Sequence, residues 1–210
     1  MSQLFTCPAC ATVVSSKLAK PWVITCSQCM SILYKDKALQ ANDVNRNMPS
    51  DWSFIQLGTT FKYNERSYEV VGRVRLQLRN DYKNLWSAVH PDSQVWLMES
   101  FASGAVLEDT WKVYGKPVSK LHAGSTFTVR AGIKLRGEYV EKCEGLSIEG
   151  EIGEWPLLQP GFFFIQGSNN DYQTAVFTVD AKQHIKSLQG MKADIDQLQL
   201  TNIVGWNEWK

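Results

Sequence analysis

Long apolar runs are missing from this chain. Its densest cluster is Phe162-Phe163-Phe164-Ile165. A membrane-spanning helix needs about 20 apolar residues, so no transmembrane segment is expected. The stretch from Met1 to Cys10 is polar and lacks the apolar centre of a secretory signal. An excess of charge is missing too: 22 Lys and Arg face 21 Asp and Glu, a net charge of +1. Proteins that grip nucleic acid by neutralising phosphates are usually visibly basic. The balance argues against that mode, while leaving room for a local patch. Histidine is scarce, with His90, His122 and His184 each isolated. The chain has no Gly-x-Ser-x-Gly elbow, no phosphate-binding glycine loop ending in Lys-Ser/Thr, and no His-Glu-x-x-His. Clean helical periodicity is absent as well; only 181–188 and 191–200 read as short helices.

What is present describes a globular protein. Of 210 residues, 44% are hydrophobic, enough for one sizeable core and a small appended module. Five cysteines occur, four of them in two pairs: Cys7-Pro8-Ala9-Cys10 and Cys26-Ser27-Gln28-Cys29. An odd count in this layout does not read as a disulfide framework. A two-residue gap lets both sulfurs of a pair face one ion from a tight turn. The fifteen residues between the pairs suffice for a short hairpin that sets the second turn opposite the first. Zinc favours four ligands in a tetrahedron, and thiolates suit it. We therefore expect one structural Zn2+ on Cys7, Cys10, Cys26 and Cys29, although four-thiolate iron sites share this spacing. A thioredoxin-like dithiol would need a single motif in a βαβ setting. Thiolate ligands require a reducing compartment, which points to the cytoplasm. Glycine often follows the second cysteine of such turns, where positive φ is favoured; here Ala11 and Met30 follow.

The ribbon is expected over 1–35, with short strands at Val13-Val14, Trp22-Val23-Ile24 and 31–34. A polar, turn-rich linker spans 36–52. The rest, 53–210, reads as a mainly β domain of barrel or sandwich type. Phe61-Lys62-Tyr63 forms a hairpin with Tyr68 through Asn64-Glu65-Arg66. Over 68–79, Val70, Val74, Leu76 and Leu78 alternate with Arg73, Arg75, Gln77 and Arg79, and Gly72 marks a bulge or bend. Further strands are expected at 85–90, 94–99, 126–136, 161–166 and 174–179. An internal echo joins Leu57-Gly58-Thr59-Thr60-Phe61 to Ala123-Gly124-Ser125-Thr126-Phe127. Two related β subunits would explain it, and so would chance similarity of two turns.

Leu57-Gly58-Thr59-Thr60-Phe61-Lys62-Tyr63, Tyr68-Glu69-Val70-Val71-Gly72-Arg73, Trp86, Trp96-Leu97, Ile148-Glu149-Gly150-Glu151 and Trp155-Pro156 together carry a resemblance. They are similar to the bacterial domain-of-unknown-function family numbered 4178, often preceded by a zinc ribbon of this kind. The similarity covers roughly 54–200 and the ribbon. It implies a β-rich bacterial domain without established chemistry. It also implies partners in an envelope-stress or membrane-associated setting.

Candidate chemistry outside the cysteine pairs is sparse. Cys143 lies between Lys142 and Glu144, and a flanking carboxylate disfavours the thiolate. Glu138, Glu141, Glu144, Glu149, Glu151 and Glu154 crowd one interval; they suit acid–base work, a cation, a basic partner or merely a solvated rim. Arg73, Arg75 and Arg79 form a basic strand face, which suits a phosphate or acidic partner, or the solvent side of a half-buried sheet. Trp86, Trp96 and Trp111 read as core. Trp206 and Trp209 close the chain, docked or offered to a partner.

The combined reading is a non-enzymatic zinc-ribbon module that binds or assembles protein partners. Arg73, Arg75, Arg79, Glu149, Glu151, Trp206 and Trp209 are its candidate partner surface. One alternative is nucleic-acid binding through Lys17, Lys20, Lys35 and Lys37. Another is an enzyme using Glu149 and Glu151.

Overall fold

A computed structural model describes residues 3–34, 52–100, 103–110, 122–129, 132–153, 160–181 and 185–205. Four short strands make the N-terminal module: β1 (Gln3–Thr6), β2 (Val13–Ser16), β3 (Val23–Thr25) and β4 (Ile32–Tyr34). The body contains β5 (Thr60–Tyr63), β6 (Arg66–Leu78), β7 (Tyr82–His90), β8 (Ser93–Ser100) and β9 (Ser103–Thr110). It continues with β10 (Thr126–Thr128), β11 (Lys134–Ile152), β12 (Phe163–Ser168), β13 (Gln173–Val179) and β14 (Ile185–Asp194). A 3-10 turn, Ile195–Leu198, follows. The protein is mainly β, as expected.

Neighbouring strands run in the order β6-β7-β8-β9-β14-β13-β12-β11, and β11 pairs back onto β6. The ring is closed and antiparallel throughout. Closure removes the exposed edges that an open sheet would offer. Each strand of the ring sends apolar side chains into one interior cluster: Leu76, Leu85, Trp96, Leu107, Leu146, Phe164, Val176 and Leu188 are among them. The outer face of β6–β9 carries a second cluster, with Val70, Trp86, Leu97 and Val106 covered by Ile55, Phe61 and Leu198. The outer face of β11–β13 carries a third, including Phe127, Leu135, Ile165 and Phe177.

The two halves repeat each other in register. Val70 opposes Ala88 and Gly72 opposes Ser87, so Val71 bulges. Gly137 opposes Gly167 and Tyr139 opposes Gln166, so Glu138 bulges. The turns that echo in sequence also share their hydrogen bonds. Gly58 N–H donates to Val70 O, and Val70 N–H to Thr59 O; Gly124 N–H donates to Gly137 O, and Gly137 N–H to Ser125 O. Thr59 Oγ1 accepts from Gln56 N–H at 3.0 Å, and Ser125 Oγ from His122 N–H at 3.2 Å. Phe61 and Phe127 then enter the two outer clusters. Equivalent residues do the same work twice, which is the sense of the echo.

Four expectations need correction. Residues 185–188 and 191–194, expected in two separate short helices, belong with Gln189 and Gly190 to β14 between β13 and β9. Gly190 lies at its centre, and a Cβ there would sit 1.7 Å from Val106 O. Close strand packing at a residue with poor helix propensity overrides the weak periodicity. The strand expected over 126–136 is two strands, β10 and the start of β11. Val70 does not share a face with Val74, Leu76 and Leu78, because the bulge at Val71 moves it to the outer cluster. The hairpin is where it was expected, but its turn is Asn64-Glu65 alone, because Arg66 already pairs with Tyr63 in β6; both turn residues have positive φ, 48° and 62°, as a two-residue I′ turn demands.

Candidate metal centre

The two cysteine turns are built alike. Ala11 N–H donates to Cys7 O at 2.7 Å, and Met30 N–H to Cys26 O at 2.9 Å. Cys7 N–H reaches Thr12 O and Cys26 N–H reaches Ser31 O, both at 2.8 Å. Ala11 and Met30 adopt φ of 60° and 57°. The left-handed conformation that glycine would favour is thus present without glycine. The four sulfurs lie within 4.8 Å of one another. Cys7 Sγ is 3.6 Å from Cys29 Sγ, and Cys10 Sγ is 3.7 Å from Cys26 Sγ. A tetrahedron with metal–sulfur bonds of about 2.3 Å has edges of about 3.8 Å. These four cysteines could hold one metal ion.

Two hydroxyls tune the sulfurs. Thr12 Oγ1 is 3.3 Å from Cys10 Sγ, and Ser31 Oγ is 3.2 Å from Cys29 Sγ. An O–H donated to a thiolate favours the charged form. Ser31 accordingly brings Cys29 down to about 6, and Thr12 lowers Cys10. Burial pushes Cys7 up to about 11. Both hydroxyls stand two residues after the second cysteine of their pair. The repeat Cys-x-x-Cys-x-Thr/Ser was therefore a readable signal that the cysteine spacing alone does not use.

The module is fixed to the body. In β11, Glu151 pairs with Ile24 and Ile152 with Val23, and Trp22 N–H donates to Ile152 O at 2.8 Å. Val23 and Ile32 belong to the interior cluster of the barrel. Glu151 Oε2 accepts from Ser16 Oγ at 2.8 Å, Lys17 N–H at 2.8 Å and Leu18 N–H at 3.0 Å. Lys17 Nζ also pairs with Glu69.

The other candidate residues are dispersed. Arg73 and Arg75 are not on a solvent face; their exposures are only 6% and 7%. Arg73 Nε and Nη2 donate to Asn84 Oδ1 at 3.1 and 2.9 Å, and its guanidinium lies 4.6 Å from the Trp86 ring centre. Glu149 faces it at 3.6 Å. Arg75 stacks on Tyr82 at 4.0 Å. Only Arg79 of the three is exposed. Sequence reasoning missed the continuation of this network, in which Glu99 Oε2 accepts from Ser53 Oγ, Asn84 Nδ2 and Trp86 Nε1. These residues come from separate elements, and no sequence spacing marks them.

From Glu138 to Glu151 the acidic interval lies along one strand, β11. Glu138 accepts from Lys192, Ser168 and Gln166. Burial alone would raise its pKa, but these bonds outweigh it and hold the carboxyl below its usual range. Glu141 accepts from Asn80 N–H. Cys143 lies in the barrel interior, its Sγ–H donates to Gly145 O, and burial pushes it up to about 11. His90 receives Asp92 N–H at a strand end. His122 Nδ1 is 2.9 Å from Ala123 O. Trp86 and Trp96 are buried as expected. Trp111, Lys35, Lys37, Glu154, His184, Trp206 and Trp209 lie outside the described residues. Among the described residues, no helix is long and apolar enough to cross a membrane.

Compared with known proteins, the chain matches no family model, no curated protein and no solved structure.

Proposed function

We propose that this chain is a non-enzymatic zinc-ribbon module that binds or assembles a protein partner. The observation that carries the reading is the outward face of β1–β2. Leu4 and Val13 are 70% and 60% exposed. In the pairing register, Leu4 opposes Ser15 and Thr6 opposes Val13, so the two apolar side chains share one face. Apolar side chains grouped on a polar-rimmed surface are typical of protein contacts. A four-thiolate site is closed, which suits a scaffold better than a catalyst. The two carboxylates of the enzyme alternative are engaged elsewhere, Glu149 with Arg73 and Glu151 with the ribbon. Zinc is the metal that best fits four thiolates with no open position. Of the ribbon lysines offered for nucleic acid, Lys17 is paired with Glu69. The resemblance to family 4178 supports a partner in an envelope-stress or membrane-associated system.

The test is a pull-down of the tagged chain at low salt, with and without nuclease. A protein that survives nuclease and is lost in a Leu4→Asp/Val13→Asp variant supports the reading. Recovery that collapses with nuclease transfers the function to nucleic acid. If nothing is bound, the partner reading fails.

A further inference from the structure

Among the described residues, two charged contacts join the cysteine module to the barrel: the exposed Lys17–Glu69 pair and Glu151. Glu151 gathers three donors from 16–18 on a single oxygen, all within 3.0 Å. Those residues lead from β2 towards β3, and β3 runs directly into Cys26. On the barrel side, Glu151 and Ile152 are the last two residues of β11, and both pair with β3. Ile152, Val23 and Ile32 fill one end of the interior cluster. Burying such aliphatic side chains is favourable, so the ribbon is part of the barrel's core.

We propose that Glu151 is a latch that makes ribbon docking depend on the metal site, so that the joint ribbon–barrel surface exists only when the four thiolates hold an ion. The proposal rests on the metal reading above. A segment as short as the ribbon cannot keep its shape without a cross-link. Once the cysteine turns relax, Ser16 Oγ and the two N–H groups no longer converge on one oxygen. The carboxylate then returns to water, Val23 and Ile32 leave the core, and β11 opens at Glu151 and Ile152. Among the described residues β12 and β13 do not pair with the ribbon, and they keep their ladders. Glu151 acts here as a positioning residue, through the ribbon and not by binding the metal.

Hydrogen exchange on the full chain tests this, with zinc and after chelation under reducing conditions. Chelation is expected to lower protection about tenfold or more over 146–152 and 16–25, and to leave 173–179 unchanged. Glu151→Ala should bind Co(II) with the thiolate absorption of the unaltered chain, yet show the chelated exchange pattern over 146–152. Should that variant not fold, Ser16→Ala removes one donor and should show a smaller rise at the same place. Lys17→Ala keeps its backbone N–H and loses only the exposed pair with Glu69, so it should stay close to the unaltered chain. Protection at 146–152 that survives chelation, or Glu151→Ala and Ser16→Ala both exchanging normally, overturns the latch. Loss that extends equally to 173–179 overturns it too. Absence of Co(II)–thiolate absorption in the unaltered chain would instead overturn the metal reading itself.

Discussion

Cys26 and Cys143 are both fully buried thiols, yet their surroundings give them opposite duties. Cys26 faces three other sulfurs; Cys143 faces hydrocarbon and one carbonyl. Cys26→Ser should abolish metal retention, read by elemental analysis, while Cys143→Ala should keep it. The raised pKa of Cys143, about 11, also carries a pH signature. The folded state holds this proton more tightly than the unfolded chain. Its stability contribution is therefore complete below the unfolded pKa and lost as pH rises through 11. Urea midpoints should fall more between pH 8 and 10 in the unaltered chain than in Cys143→Ala. The arginines give a second contrast. Arg73→Ala leaves Glu149 and Asn84 without their buried partner and should destabilise by about 3 kcal/mol in urea unfolding. Exposed Arg79→Ala should stay within about 0.5 kcal/mol. The four-cysteine cluster was legible because each pair is local and its spacing is chemical. The burial of Arg73 and Arg75 was not legible. Alternating charge imitates a half-exposed strand, and only the folded chain shows that Asn84, Trp86 and Tyr82 enclose the outer side.

Among the elements, β6 and β11 are tightly constrained by each other. They meet at Gly72 and Gly150, where the backbones approach closely. A Cβ on Gly72 would lie 2.1 Å from Glu151 O, and Gly150 has a φ of +68°. Neither obstacle is a movable side chain. Gly72→Ala should break the seam beside the ribbon and strongly lower the thermal midpoint. Gly205→Ala, with nothing within 4 Å and no positive φ, should leave it nearly unchanged. Circular dichroism melts decide between them. Most strands were readable from alternation and β-branched content, and so was the hairpin before Tyr68, though its turn is one residue shorter than Asn64-Glu65-Arg66. β14 was not, because Ser187, Leu188 and Gln189 are all buried in succession, a pattern without period two. β11 was misjudged for a related reason. Glu138, Glu141, Glu149 and Glu151 find separate partners along one long strand, and in sequence they resemble a solvated rim.

At the scale of the molecule, two matching halves close a barrel, and a cysteine-turn module is strand-paired to its β11. The internal echo was visible in five residues at each site. Its meaning came only with the shared hydrogen bonds and bulges, which no linear comparison contains. Docking of the ribbon was likewise invisible in sequence, since Glu151 meets Ser16 across most of the chain. The proposed module requires one ion held by four sulfurs. X-ray absorption at the zinc edge on the purified full chain measures this directly. The expected result is one zinc per chain with four sulfur scatterers at about 2.3 Å. A shell containing nitrogen or oxygen, a different metal, or zinc retained unchanged in Cys26→Ser would contradict it.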